Sequence, residues 1–310
     1  MVRRIIFIWI LLILILAILG DVTVAAPNPG RTAADFLLIG GGSRAAGMSG
    51  AFTAVSQGAS ASWWNPAGLT SLEGGQVVLG HYAWLQDVTV EQGAFALNRS
   101  DRFSIAASLT YLDYGKIDGY NASGTYTGDI PAYDWSGALS IGVQATDRLS
   151  LGLTAKFINQ RIDDINSAGV AADFGLLYHF DRLSLGAVVA NLGPKMTFEN
   201  VDENLPLVGR VGVAFNPLNK SLLTSIDLEM RAHGSTVLRQ GFEFDFGERY
   251  YLRSGYAFFP EDDQRPFSSG LTFGGGLHIG QISVDYAYTT AEKYSSQDIH
   301  RFSVDFEFGR

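Results

Sequence analysis

The feature that most constrains this chain is an alternation of apolar and polar residues with a period of two, repeated along most of its length. In segment 302–308, large apolar residues at even positions alternate with serine and acidic residues at odd positions. Adjacent side chains of a β-strand point to opposite faces, so each such segment predicts a strand with one apolar face. The opposite faces carry mostly Ser, Thr, Gly and acids. Fourteen segments follow this pattern, at residues 76–85, 88–97, 102–112, 133–144, 149–158, 168–179, 182–190, 206–215, 221–231, 236–246, 249–258, 267–279, 281–289 and 299–308.

The lengths of these segments, 9 to 13 residues, favour a membrane barrel over a soluble sandwich. A strand that crosses a bilayer needs about 9–11 residues, whereas strands of soluble proteins average about 5–6. In lipid every backbone donor and acceptor must be paired within the protein, so a spanning sheet must close on itself. We therefore expect a 14-stranded antiparallel transmembrane β-barrel, with the apolar faces toward lipid and the polar faces toward the lumen.

The predicted connections differ between the two ends of the barrel. Those after the even-numbered segments are tight and polar, and several contain Asp-Arg, as at Asp147-Arg148. Those on the other side include three long ones, 113–132, 191–205 and 290–298. Short turns at one end and longer loops at the other are typical of outer-membrane barrels, with both termini on the periplasmic side. Aromatic residues near strand ends suit interfacial girdles, although ordinary packing accounts equally well for any single one: Tyr82, Trp84, Trp135, Tyr178, Tyr250 and Tyr288.

The first 26 residues have the pattern of a secretory signal peptide. Arg3 and Arg4 precede the apolar run 5–19, which is too short for a spanning helix of about 20 residues but fits a signal-peptide core. Small residues at Val24 and Ala26 suit a cleavage site. We expect residues 1–26 to be removed on export and the protein to reside in the outer membrane, in contact with its lipid; an uncleaved N-terminal anchor is the alternative.

Composition excludes several classes of protein. The 310 residues contain no cysteine, which excludes a disulfide scaffold, a cysteine-ligated metal and a cysteine nucleophile. A net charge of −9 argues against nucleic acid as a partner, and 47% hydrophobic residues argue against disorder. Only 17% of residues are charged, against about 25% in soluble domains; this low value is expected if one face of every strand meets lipid.

Residues 27–75 do not alternate and are rich in small residues, which suits backbone folded in a narrow space. A barrel of 8 strands is filled by its side chains and one of 16–18 leaves a channel, so 14 strands would leave room for a plug. We therefore predict an N-terminal hatch at 27–75 inside a barrel formed by 76–310. Its most distinctive positions are Gly42, Arg44, Gly47, Gly50, Asn65, Pro66, Ala67 and Gly68.

The glycine-rich start, the motif at 64–68 (Trp-Asn-Pro-Ala-Gly) and the ending over 284–304 resemble the PorV/PorQ family, which belongs with the FadL-like outer-membrane barrels. The resemblance covers about residues 33–308. It implies a 14-stranded barrel with a lumenal hatch, and it assigns Asn65, Pro66 and Ala67 to the hatch motif. Members of the family serve in type IX secretion or pass hydrophobic compounds across the outer membrane.

The resemblance therefore implies two functions. The first is an accessory or shuttle in protein export, with a secretion translocon and secreted cargo as partners. The alternative is hatch-gated passage of hydrophobic small molecules, and a purely structural barrel is a lower alternative. Fatty-acid transporters of the FadL type have large capture loops, but here the longest loop, 113–132, is polar and contains no apolar helical pair. This departure argues against classical fatty-acid uptake.

The enzyme hypotheses are weak, and we expect no catalytic residue, metal or cofactor. Gly40–Gly42 follow an apolar run, but a dinucleotide fold needs an acid about 20 residues later, and residues 56–64 contain none. The five histidines lack metal-ligand spacing, and no Gly-x-Ser-x-Gly elbow is present. The charged residues predicted to face the lumen pair across it, with Arg44 docked against such acids, or are simply solvated: Asp173, Asp227, Glu229, Arg231, Glu243, Asp245 and Arg253.

Overall fold

The computed structural model describes residues 32–83, 87–217, 221–259, 270–290 and 298–309. The predicted signal peptide, the first residues of the predicted hatch and Trp84 lie outside these ranges. The described strands are β1 (Gly75–Ala83), β2 (Thr89–Ser100), β3 (Phe103–Asp113), β4 (Ile117–Tyr120), β5 (Tyr126–Ile130), β6 (Ala132–Thr146), β7 (Leu149–Ile162), β8 (Ile165–His179), β9 (Leu183–Leu192), β10 (Met196–Phe198), β11 (Val201–Glu203), β12 (Val208–Phe215), β13 (Leu222–Arg231), β14 (Val237–Phe246), β15 (Tyr250–Phe258), β16 (Leu271–Ile279), β17 (Ile282–Thr289) and β18 (Ile299–Phe308).

Fourteen of these strands form one closed antiparallel barrel. Each barrel strand pairs with the next one in sequence, and β1 pairs with β18 from Gly75 opposite Phe308 to Ala83 opposite His300. Closure leaves the barrel without an open sheet edge, as a lipid environment requires. The prediction of a 14-stranded antiparallel barrel is confirmed.

Two of the predicted loops contain short hairpins outside the barrel. β4 pairs with β5 within the connection 113–132, and β10 pairs with β11 within 191–205. β7 and β8 also extend farther than predicted, to Ile162 and from Ile165. Beyond the apolar band both faces of a strand meet water, so alternation no longer marks these residues. We call the barrel end that carries these connections the long-loop end and the opposite end the short-turn end.

The two faces of the wall have opposite character. On the outside, large apolar side chains are exposed, with Leu139 at 69% and Phe157 at 45%. On the inside, Thr154 and Asp227 are fully buried. An apolar exterior and a polar interior are the pattern of a transmembrane barrel.

Four of the described aromatics that were predicted for girdles lie at outward positions near the strand ends: Trp135, Tyr178, Tyr250 and Tyr288. The fifth, Tyr82, was wrongly assigned. It is 1% exposed and points into the lumen, because it shares the face of Val78 rather than that of the exposed Leu79.

Residues 32–74, here called the inner segment, lie inside the barrel. They form a 3-10 helix (Asp35–Leu38), helix α1 (Ser43–Gly47), helix α2 (Ala61–Trp64) and a second 3-10 helix (Pro66–Ser71). Hydrogen bonds join the segment to strands on several sides of the wall, among them β1, β8 and β14. Among the described residues, no helix combines the length and apolarity needed to cross a bilayer.

Candidate functional site: the segment inside the barrel

The Asn-Pro-Ala motif joins the inner segment to itself and to the wall. Asn65 is fully buried, and its Oδ1 accepts a hydrogen bond from Ala67 N at 3.2 Å. It thereby caps the 3-10 helix that begins at Pro66, a position where a missing N–H costs nothing. Its Nδ2 donates to Thr53 O at 2.9 Å and to Leu176 O of β8 at 3.0 Å. One amide therefore satisfies three backbone groups in a buried place.

A row of glycines in the wall makes room for this motif. Gly142, Gly152 and Gly175 lie opposite one another on β6, β7 and β8. A Cβ on Gly142 would lie 2.9 Å from the Cβ of Leu69, and one on Gly152 or Gly175 would overlap the chain at residues 65–67. The glycines therefore allow close approach of two backbones, which accounts for part of the glycine excess of the sequence.

The other predicted glycines have comparable roles. Gly42 has a φ of +81°, and its N–H donates to Tyr82 Oη at 3.0 Å and to Gln92 Oε1 at 3.2 Å. Gly47 lies against Gly274 of β16, and Gly68 lies against the backbone of residue 56. Gly50 has a φ of +74°, in the left-handed region that favours glycine.

Arg44 makes a bidentate ion pair with the barrel wall. Its Nη2 lies 2.7 Å from Glu243 Oε1, and its Nε donates to Oε2 at 2.8 Å. Glu243 also accepts from Arg253 Nε at 2.6 Å, and Arg253 pairs with Asp285. Burial acts to lower the pKa of the Arg44 guanidinium, but Glu243 and, to a smaller extent, Asp285 together outweigh burial and raise that pKa. Such charge-assisted paired bonds are stronger and more directional than neutral ones.

A second cluster of charges holds the middle of the inner segment. The buried Asp227 accepts a hydrogen bond from Thr53 N at 2.7 Å. Arg239 donates to Ser49 O at 3.0 Å. It also belongs to a set of arginines around the buried Glu229, completed by Arg210 at 2.8 Å and Arg231 at 2.6 Å. An acid this deeply buried requires such partners.

All seven acids and arginines predicted for the lumen occupy inward positions. Asp173 pairs with Lys156 Nζ at 2.8 Å and accepts from Asn191 N at 2.8 Å. Asp245 lines a large cavity described below. Sequence reasoning missed Lys156, Arg210 and other partners, although they share the inward parity of their strands.

The inward charges are strongly one-sided. Within the described strands, the inward positions of β1, β2, β3 and β6 carry one charged residue, Asp134. Those of β12 to β18 carry twelve: Arg210, Asp227, Glu229, Arg231, Arg239, Glu243, Asp245, Arg253, Asp285, Arg301, Asp305 and Glu307. We call the first group of strands the neutral half of the wall and the second the charged half.

The two ends of the lumen differ in what fills them. At the long-loop end, an apolar cluster joins Phe36 of the inner segment to Met196 and Leu205 of the loop and to inward residues such as Tyr82. At the short-turn end, a cavity of about 900 Å³ lies beneath the segment, and acidic residues including Asp245 line it. The barrel is thus filled but not packed solid.

The run before Gly40 forms a 3-10 helix, Asp35–Leu38, rather than the strand of a dinucleotide-binding turn. Over the described ranges, no three His, Asp or Glu side chains converge in a way that would hold a metal ion. The expectation that the protein is not an enzyme and needs no cofactor stays a prediction.

Several solved structures resemble this barrel over nearly their whole length. A CymD monoaromatic hydrocarbon channel matches with a TM-score of 0.66 and 15% identity over 88% of this chain and 99% of that one. The Pseudomonas putida toluene transporter TodX matches with a TM-score of 0.63 and 15% identity over 86% and 97%. A Pseudomonas aeruginosa FadL homologue matches with a TM-score of 0.58 and 11% identity over 86% and 98%. At these identities the likeness establishes the fold alone, a closed barrel of the FadL type.

Sequence comparison adds the family. No curated protein matches the chain significantly. The sequence model of the Uncharacterised protein family (UPF0164) matches residues 22–308, which include every described strand and the inner segment. The chain therefore belongs to the UPF0164 family.

Proposed function

We propose that this protein is an outer-membrane channel for hydrophobic small molecules and that the inner segment, residues 32–74, is its hatch. The observation that carries the proposal is a FadL-like barrel whose lumen is occupied by a separate segment. That segment is attached to the wall by side-chain contacts such as Arg44–Glu243, not by strand pairing along its length. Side-chain contacts can be exchanged without opening the sheet.

The two ends of the lumen fit the passage of an apolar solute. The cluster around Phe36 and Met196 offers apolar surface at the long-loop end, where burial of a solute is favourable by roughly 25 cal/mol per Å². The cavity at the short-turn end has both acidic and apolar residues in its lining and would hold such a solute less strongly than the apolar cluster. The structural neighbours support the same class of solute, since two of them are named as a monoaromatic hydrocarbon channel and a toluene transporter.

Uptake by whole cells tests the proposal, because lipopolysaccharide restricts apolar solutes that would cross a plain bilayer unaided. A Gram-negative host producing the protein should take up the apolar dye N-phenyl-1-naphthylamine faster than the same host without it. Uptake of a hydrophilic antibiotic should not change. No gain in dye uptake, with the protein present as a heat-modifiable outer-membrane band, would refute the proposal.

A second proposal follows the PorV/PorQ resemblance, in which the barrel assists protein export. The observation that favours it is the β4–β5 hairpin, where Tyr120 and Tyr126 are 62% and 50% exposed and their ring centroids lie 5.8 Å apart. Exposed aromatic side chains of this kind suit contact with a protein. Secretion components should co-purify with the native chain and not with the Tyr120→Ser variant if the protein assists export. Dye uptake by the same variant should be unchanged, which would separate the export function from the channel function.

A further inference from the structure

The one-sided distribution of charge in the wall also divides the attachments of the inner segment. Toward the charged half, Arg44 pairs with Glu243, Asp227 accepts from the N–H of residue 53, and Arg239 donates to the carbonyl of residue 49. Each of these bonds involves an ionised side chain. Charge-assisted bonds of this kind are roughly twice as strong as neutral ones.

Toward the neutral half, the described attachments of the segment are uncharged. Gly42 N–H donates to Gln92 and to the Tyr82 hydroxyl. Farther along, Ala59 N–H donates to Gln76 Oε1 at 2.7 Å. Tyr82 Oη and Asn98 Nδ2 also donate to backbone carbonyls of the segment, at 3.1 and 2.7 Å, and apolar side chains pack beside these neutral bonds. The inner segment is therefore attached more weakly to the neutral half than to the charged half, and its interface with the neutral half should separate first.

Apolar residues follow the same side from one end of the lumen to the other, and a small cavity of mixed lining lies between the two apolar clusters. The cluster at the long-loop end includes Phe36, which also lines a cavity of about 20 Å³, large enough for about one water molecule, whose lining includes hydroxyl side chains and Lys156. Trp63 lines that cavity and packs on a second apolar cluster. Leu72 and Val78 of this second cluster line the 900 Å³ cavity at the short-turn end. We call this line the seam.

We propose that apolar molecules cross the barrel along the seam, between the inner segment and the inward faces of β1, β2, β3 and β6, and pass Trp63. This inference rests on the proposed channel function and adds its route and solute class. The class is compact and uncharged. The neutral half offers an ionised solute only Asp134 among its described inward charges, and the nearby Lys156 is already paired with Asp173 at 2.8 Å.

Two adjacent tryptophans report on the two sides of the segment. Trp63 faces the seam, and its Nε1 is buried with no hydrogen-bond partner among the described residues. Trp64 faces the charged half, where its Nε1 donates to Gly41 O at 2.7 Å and the Arg210 guanidinium lies 5.5 Å from its ring centroid. A solute that follows the seam meets the first ring and not the second.

Single-tryptophan chains in lipid vesicles test the route with bromobenzene, an apolar heavy-atom quencher. One chain retains Trp63 and carries Trp64→Phe, and the other retains Trp64 and carries Trp63→Phe. Both also carry Trp9→Phe, Trp84→Phe and Trp135→Phe, which removes the remaining tryptophans. We expect a quenching slope several-fold larger for the chain that retains Trp63. Equal slopes, or a larger slope for Trp64, would overturn the route.

A second pair of variants tests the route by dye uptake in otherwise native chains. Ser108 lines the small cavity from β3, and Ser108→Leu should lower uptake at least two-fold. Thr289 is a partly buried inward residue of β17, in the charged half, and it lines neither of the two cavities; Thr289→Leu should leave uptake unchanged. The reverse order would contradict the seam. Absence of uptake by the native protein would instead contradict the channel function itself, so the two failures are distinguishable.

Discussion

Replacing Arg44 with methionine should loosen the inner segment, the proposed hatch, while leaving the barrel wall intact. The substitution keeps an unbranched apolar stem and removes the two bonds to Glu243, at 2.7 and 2.8 Å. Breaking a buried ion pair typically costs about 3–5 kcal/mol, mostly because a charge is left unpaired. Here the Arg44 side chain is 23% exposed, and Glu243 keeps Arg253 as a partner. The cost should therefore fall to about 2 kcal/mol, in the range of hydrogen bonds to charged groups.

If the hatch closes by two-state displacement, a loss of about 2 kcal/mol raises the open population roughly 30-fold, since each 1.4 kcal/mol is a factor of ten. Arg44→Met should then increase dye uptake by host cells and single-channel conductance in planar bilayers. Arg249→Met is the matched control, because Arg249 lies in an exposed turn where its guanidinium faces the Tyr250 ring. Native uptake and conductance in Arg44→Met, with heat-modifiable mobility retained, would show that this ion pair does not hold the hatch closed.

Two further predictions concern stability. Gly175→Ala would drive a methyl group into the Asn65 side chain and should lower the temperature at which the heat-modifiable band unfolds. Gly93→Ala is the control, because its added methyl would meet its nearest atom at 3.7 Å and should leave that temperature unchanged. Equal unfolding temperatures for the two variants would argue against close packing of the Asn-Pro-Ala motif on the barrel wall. Leu139→Arg places a charge on the lipid face at a position 69% exposed near the middle of β6, and it should destabilise the barrel by about 2–4 kcal/mol in urea unfolding from vesicles. Leu139→Met should cost little, and a silent Leu139→Arg would mean that this face does not meet hydrocarbon.

The sequence by itself determined the barrel. Alternation is a local property, because neighbouring side chains of a strand must point to opposite sides. Fourteen alternating segments of spanning length therefore specify the number of strands, their order and the face on which a residue such as Asp227 lies. The predicted strand ends were less accurate where apolar and polar residues no longer alternate, so β7 and β8 were predicted too short. Tyr82 was predicted to lie on the outside of the barrel although its position in β1 has inward parity.

The tertiary structure decided which inward residues meet. Arg44 and Glu243 are 199 positions apart, and the glycines that receive Asn65 lie on separate strands. Such contacts exist only once the barrel has closed around the segment. Closure also brings twelve inward charges together on β12–β18 and leaves the opposite wall almost neutral. The sequence of a strand shows only which residues lie on each of its two faces. The separation of the charged half from the neutral half depends on the positions of all fourteen strands around the barrel.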